Sequence, residues 1–251
     1  MNNLCGVILA KDCVKFDYCI KESIFSMLGV CDYVIVAYVY SEDETLDEIL
    51  SIDNENIKII YLTEDDWNFF EDKYRLSYLT NIAIQEADRM GFSYILSIQA
   101  DEILHENSYQ SIREAVQSNH EAFLINRINL WKDCNHQLEV PQHRKPCSTE
   151  VIRLAKSCYR TYDDAESFEA PANWFIDDAF IFHYGFVRKK EIMKDKIKNM
   201  QQVVFGMSDY DQKLNNCEVF NPDLWFNPET DLIPIKMEHP KVMQEWILSR
   251  P

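Results

Sequence analysis

Glycine is scarce, 5 in 251 residues, so most tight turns must rely on Asn, Asp and Ser. Positive charge is short as well. Lys and Arg number 25 against 42 Asp and Glu, and the formal net charge of −17 excludes a broad, nonspecific nucleic-acid surface. No stretch approaches the ~20 apolar residues that a membrane-spanning helix needs. The N-terminus lacks a basic region followed by an apolar run and a small-residue cleavage site. The chain is therefore expected in the cytoplasm, without a secretion signal. The eight cysteines, at 5, 13, 19, 31, 134, 147, 158 and 217, have no compact framework spacing and read as reduced thiols. There is no internal repeat and no low-complexity tract. What remains is 47% hydrophobic residues in a length near the upper limit of one core. That predicts a single domain over 1–251.

Strands alternate with helices through the first hundred residues. Cys5 to Ala10 reads as a strand ending at Lys11-Asp12, followed by a helix from about Tyr18 to Leu28. Tyr33 to Val39 is a second strand, ending at Ser41-Glu42-Asp43-Glu44-Thr45. A short helix, a third strand at Ile57 to Leu62 and a long helix from Tyr74 to Met90 follow. The next strand, Tyr94 to Ala100, stops on two adjacent carboxylates, Asp101 and Glu102. Such alternation implies a parallel sheet with right-handed crossovers. Ligands of open α/β sheets bind at the carboxyl ends of the strands, and carboxylates there suit Mg²⁺ or Mn²⁺.

This order resembles the GT-A glycosyltransferases, in particular the family 2-like group with its small bacterial and phage-type members. Ser41, Asp43 and Thr45 match the Ser-x-Asp-x-Thr turn after the second strand. Asn81 matches the Asn on the helix before the acidic strand. Gln99-Ala100-Asp101 sits where the family has Asp-x-Asp, with Gln99 in place of the first Asp. The Asp that usually precedes the turn is also missing, since Tyr38, Val39 and Tyr40 stand there. Phe182 to Arg188, with Lys194 and Lys196 behind it, is similar to the later part of these enzymes. The resemblance implies a GT-A α/β fold with a mostly parallel sheet flanked by helices. It implies a nucleotide-sugar-binding half over 1–105, an acceptor half over 106–205 and a C-terminal arm over 206–251. It also implies a metal, Mn²⁺ or Mg²⁺, held by Asp101 with His183 and Glu102. The donor is a nucleotide-sugar, a UDP-sugar first among candidates. Ala10, Lys11, Asp12, Ser41, Asp43, Arg75, Asn81, Gln99, Arg188 and Lys194 are the expected donor-binding residues.

Other features fit around that site. Lys190, Lys194 and Lys198 recur every four residues and share one helix face, which is either a solvated face or a phosphate clamp. His183 lies among apolar residues, as a core histidine or as a metal ligand that favours Mn²⁺ over Mg²⁺. Cys134, His136, His143 and Cys147 have the right chemistry for zinc but no recognised spacing, so that segment reads as a long loop beside the acceptor. Trp67, Phe69 and Phe70 read as rings that pack their loop down, with stacking on a sugar or base as the alternative. An inverting transfer needs a carboxylate base for the acceptor hydroxyl. The candidates are Asp163, Asp164 and Glu166, and the pair Asp177-Asp178, with Asp164 first and Asp178 second.

The sequence therefore reads as a metal-dependent glycosyltransferase acting on a glycan or another hydroxyl-bearing acceptor, a modified base in phage DNA included. Two rivals are a nucleotidyltransferase and a non-catalytic module that keeps the fold. The first would carry a Gly-rich basic loop after the first strand, where only Lys11 is present. The second is favoured by Gln99.

Overall fold

The computed structural model describes residues 3–70, 72–139, 148–172, 174–204, 206 and 232–249. Strands β1 (Leu4–Ala10), β2 (Tyr33–Val39) and β4 (Tyr94–Ser97) are almost wholly buried. They read as continuous apolar runs because helices cover both faces of a parallel sheet. β1 pairs in parallel with β2 and β4, and β2 pairs in parallel with β3 (Ile57–Leu62). This parallel half is joined to an antiparallel half. β8 (Glu150–Lys156) runs antiparallel between β4 and β6 (Ala122–Trp131). β6 then pairs antiparallel with β7 (His136–Leu138), and β7 with β12 (Leu232–Pro234). β5 (Glu102–Leu104) and the long β11 (Trp174–Phe186) lie off this path. β11 pairs antiparallel with β5 and parallel with β6.

Helices fill the two faces according to their apolar spacing. α1 (Ile20–Leu28) buries Ile20, Ile24 and Met27 into one core, with Ile8, Val34 and Leu96 from the sheet. α2 (Thr45–Leu50) and α5 (Tyr109–Ala115) add Ile49 and Ile112 to it. On the other face, α4 (Tyr74–Arg89) buries Leu79, Ala83, Ile84 and Ala87 against Val7, Ile35 and Ile95. Those four recur at helical spacing, so the buried stripe is legible in the sequence. The four-residue α3 (Glu64–Trp67) drops Trp67 onto this second core. After β11 comes α6 (Lys190–Asn199), and the final helix α7 (Gln244–Leu248) packs Trp246 beside Tyr184.

The expected α/β fold is present, and the expected strand and helix positions for residues 4–97 agree with the structure to within a few residues. The acidic strand is shorter than its apolar run suggests. β4 ends at Ser97, and Gln99 to Asp101 form a turn that leads into β5. No helix among the described residues is long and apolar enough to cross a membrane. Cys5, Cys13, Cys19, Cys31 and Cys134 are buried free thiols and Cys158 is an exposed one. Of the C-terminal arm, residues 207–231 fall outside the described residues.

Candidate active site

A cavity of about 460 Å³ opens at the carboxyl ends of β1 and β4. Lys11 and Asp12 come from the loop after β1, and Gln99 and Asp101 from the turn after β4. Trp67, Leu76 and Thr80 form one wall, and Asp164 to Glu166 another. His183 and Phe186 of β11 and Lys196 of α6 close the far side. The sheet therefore brings Lys11, Asp12, Gln99, Asp101, Asp164 and His183 together as expected.

Asp101 is the centre of the charged groups. Its Oδ2 accepts from Lys196 Nζ at 3.0 Å and from an Arg188 terminal nitrogen at 3.3 Å. Burial opposes its ionisation, but Lys196 and the neighbouring Arg188 outweigh that and hold the carboxyl well below the usual range. Its Oδ1 stands 3.7 Å from His183 Nε2. The other ring nitrogen, Nδ1, is 3.0 Å from Asn129 Oδ1, and the Asn129 amide nitrogen donates to Ser148 O at 3.2 Å. That second bond turns the amide oxygen toward His183, so Nδ1 carries the proton and Nε2 presents its lone pair to Asp101. Burial holds the imidazole down at about 4, against the pull of Asp101, so it is neutral near pH 7.

Two lone-pair donors facing each other across 3.7 Å suit a divalent cation, and the amide behind the histidine is the usual outer support of such a ligand. No group of three or more His, Cys, Asp and Glu that could hold a metal occurs among the described residues. Asp101 and His183 would thus supply two ligands, and phosphate oxygens and water the rest, as is common for Mg²⁺ and Mn²⁺. Gly185 makes room for this arrangement. A Cβ there would lie 2.2 Å from His183 Nε2, inside the ring's own space. Gly185→Ala is expected to turn the imidazole away and weaken Mn²⁺ binding. Titration of the protein with Mn²⁺ by calorimetry checks this, and unaltered affinity refutes the steric argument.

The structure corrects several expected site residues. Glu102 is not a metal ligand. It is fully buried, and its Oε1 takes Arg153 at 2.6 Å and Arg127 at 3.3 Å while Oε2 accepts the Gln99 amide. Burial raises its pKa, yet the two arginines win and leave it lowered. Ser41 and Asp43 staple the β1 loop instead of facing a ligand. Ser41 Oγ accepts the Asp12 amide, Asp43 Oδ2 the Lys15 amide, and Thr45 Oγ1 the Cys13 amide. They thereby fix Asp12 at φ +49°, a left-handed conformation that this loop must hold. Ala10 is buried in the core beneath that loop.

Asn81 is also a staple. Its side-chain nitrogen donates to Thr161 O and its oxygen accepts from Thr161 N and Oγ1, all at 2.9–3.0 Å. It anchors the hairpin β9 (Thr161–Tyr162) and β10 (Ser167–Phe168), which carries Asp164. Arg75 is buried, donates to Asp72 O and lies 5.0 Å over the Trp67 ring, behind the cavity wall. Arg188 donates to Phe16 O, Tyr184 O, Gly185 O and Asp101, so its guanidinium braces the β1 loop against β11. Lys194 is exposed and points off the cavity, whereas Lys196 points in. Asp178 accepts from Ser111 on α5, at 2.7 Å, and does not line the cavity. Cys134 belongs to the β6–β7 turn and His136 opens β7, and His143 and Cys147 fall outside the described residues.

Arg127 on the wall was not expected, and Trp67, weighed as a ring that could stack on a sugar or base, stands there too. Arg127 had a signal, a charge in the otherwise apolar run Phe123 to Trp131. Asp164 Oδ1 accepts the Glu166 amide at 3.2 Å, and burial, with Glu166 next, raises the Asp164 pKa.

No family model matches the sequence, and no curated protein does. The architecture is similar to solved structures. A *Staphylococcus aureus* TarS fragment, residues 1–349, in complex with UDP-GlcNAc superposes with a TM-score of 0.51 at 14% identity. The match covers 80% of this chain and 65% of that one, so the chain spans about 65% of the length of that structure. *Mycobacterium tuberculosis* glucosyl-3-phosphoglycerate synthase, with Mn²⁺, UDP and phosphoglyceric acid, gives 0.38 at 13% identity over 62% and 56% of the two chains. The Anaerococcus prevotii 4-diphosphocytidyl-2C-methyl-D-erythritol synthase gives 0.39 at 13% identity over 62% of this chain and 70% of that one. The TarS match shows a shared α/β fold of the GT-A-like type.

Proposed function

We propose that this protein is a metal-assisted glycosyltransferase that moves a sugar from a nucleoside diphosphate, UDP first, to an acceptor hydroxyl of a glycan or similar molecule. The observation that carries this is the facing pair Asp101 Oδ1 and His183 Nε2, backed by Asn129, at the cavity floor. The metal, when bound, would screen the diphosphate charge as the sugar departs. The chain's own groups do the rest. Lys11, Asp12, Trp67 and Thr80 form the nucleoside end, with the Lys11 ammonium held by Tyr40 O and Glu64 and set 5.2 Å over the Trp67 ring. Asp164 stands on the opposite wall, without an ion-pair partner among the described groups, and its burial makes it a stronger base than an exposed aspartate. It would take the acceptor proton.

The test is thermal stability of wild type with UDP, UDP-sugars and GDP in Mn²⁺, Mg²⁺ or EDTA. A ligand at ~100 times its Kd stabilises by about 2.7 kcal/mol, which is readable as a melting shift. The Mn²⁺-dependent part of the shift should vanish in Asp101→Asn. A wild type that no nucleotide stabilises, with or without metal, overturns the reading in favour of a module that only keeps the fold.

A further inference from the structure

We infer that Lys196 is a resident cation of the diphosphate site, giving this protein a nucleoside-diphosphate affinity that survives removal of divalent metal. The inference rests on the transferase reading above and adds a residue and a property to it. Lys196 lies off the Lys190, Lys194 and Lys198 stripe, since two residues advance a helix by about 200° and so reach the opposite face. Its side chain is 11% exposed, yet it is on the cavity wall. The ammonium is held by Asp101 Oδ2 at 3.0 Å and Gly185 O at 2.9 Å. The rings of Tyr18 and Phe186 stand 4.9 and 5.7 Å from it. Carbonyl, carboxylate and two ring faces fix one rotamer of a side chain that is normally mobile. A lysine placed so is preorganised, and the entropy of ordering it is spent before the ligand arrives.

Lys196 both lines the cavity and sits beside the proposed metal ligands Asp101 and His183. Asp101 then has two sides. Oδ1 faces His183, and Oδ2 orients Lys196. During transfer the acceptor oxygen bonds to the anomeric carbon and its proton goes to Asp164, while the bond between the anomeric carbon and the β-phosphate oxygen breaks and its electron pair stays on the phosphate. Lys196 donates a hydrogen bond to that growing charge and gives up no proton.

The experiment is calorimetric binding of UDP and of uridine, in EDTA and in Mn²⁺, to wild type, Lys196→Met, Lys196→Arg and Asp101→Asn. In EDTA the wild type should bind UDP more tightly than uridine. Lys196→Met should cut that advantage about 10- to 100-fold, the range of a charge-assisted hydrogen bond, and leave uridine binding unchanged. Lys196→Arg should keep part of it. Asp101→Asn should lose the Mn²⁺ increment but keep the advantage in EDTA. Should Lys196→Met not fold, the double variant Asp101→Asn/Lys196→Met removes both partners of the ion pair. It should then lack the advantage that Asp101→Asn alone retains. A wild type that binds UDP no better than uridine in EDTA, or a Lys196→Met that keeps the advantage, overturns the inference while Mn²⁺-dependent binding leaves the transferase reading standing. Absence of UDP binding in either condition removes that reading itself.

Discussion

Glu102→Ala is expected to destabilise the protein by about 3–5 kcal/mol, the cost of stranding buried cations. Arg127 and Arg153 are each 1% exposed at the side chain, and Glu102 is 0% exposed. Arg127 keeps Glu166 and Ser148 O, but among the described residues Arg153 keeps only the Ala165 carbonyl. The Gln99 amide would lose its acceptor as well, which frees the turn that presents Asp101. Glu102→Gln retains an oxygen for one bond and should cost less. Urea unfolding followed by far-UV circular dichroism reads the difference. The surface pair Glu86 and Arg89 is the control, because an exposed ion pair contributes ~0–1 kcal/mol. A Glu102→Ala protein as stable as Arg89→Ala would mean that the buried ionic cluster does not hold the cavity floor.

The same cluster marks where sequence reading stops. β1, β2, β3 and α4 are written locally, as apolar runs and a helical stripe, and they agree with the structure. That Asp101 and His183 meet is a matter of strand register, which the family resemblance implied and the apolar residues around His183 did not. In the structure His183 pairs with Glu102 across the β11–β5 ladder, which sets it beside Asp101. Side-chain direction was not legible. Ser41, Asp43 and Asn81 match a binding motif, yet their oxygens are spent on backbone amides of distant loops. A short polar side chain bonds whichever amide the tertiary fold brings near, and spacing along the chain cannot name it. Lys194 against Lys196 is the opposite case. The four-residue period picked out Lys194, which is exposed, while Lys196 on the cavity wall lies off that period.

On the proposed transferase reading, Asp164→Asn is expected to slow sugar transfer by about 10²- to 10⁴-fold with nucleotide binding unchanged, the scale of losing a general base. The loop bearing Asp164 is pinned on four sides: Asn81 holds Thr161, Lys73 pairs with Asp163, Arg153 donates to Ala165 O, and Arg127 pairs with Glu166. Asp163 and Ala165 on either side adopt φ +56° and +62°, left-handed values that a loop of non-glycine residues holds only when its surroundings impose them. Those four contacts occupy the neighbours of Asp164 and leave its carboxylate on the cavity wall. Because burial raises its pKa, the acid limb of the rate profile should lie above the ~3.9 of an ordinary aspartate. As pH falls through that raised value the base is protonated and the rate falls with it. Asn81→Ala should loosen the hairpin and lower turnover without altering UDP affinity, since no atom of Asn81 lines the cavity. Steady-state rates against pH, with UDP affinity measured separately, distinguish these effects. An Asp164→Asn enzyme with undiminished turnover would remove the base from this loop and leave Glu166 as the carboxylate to examine.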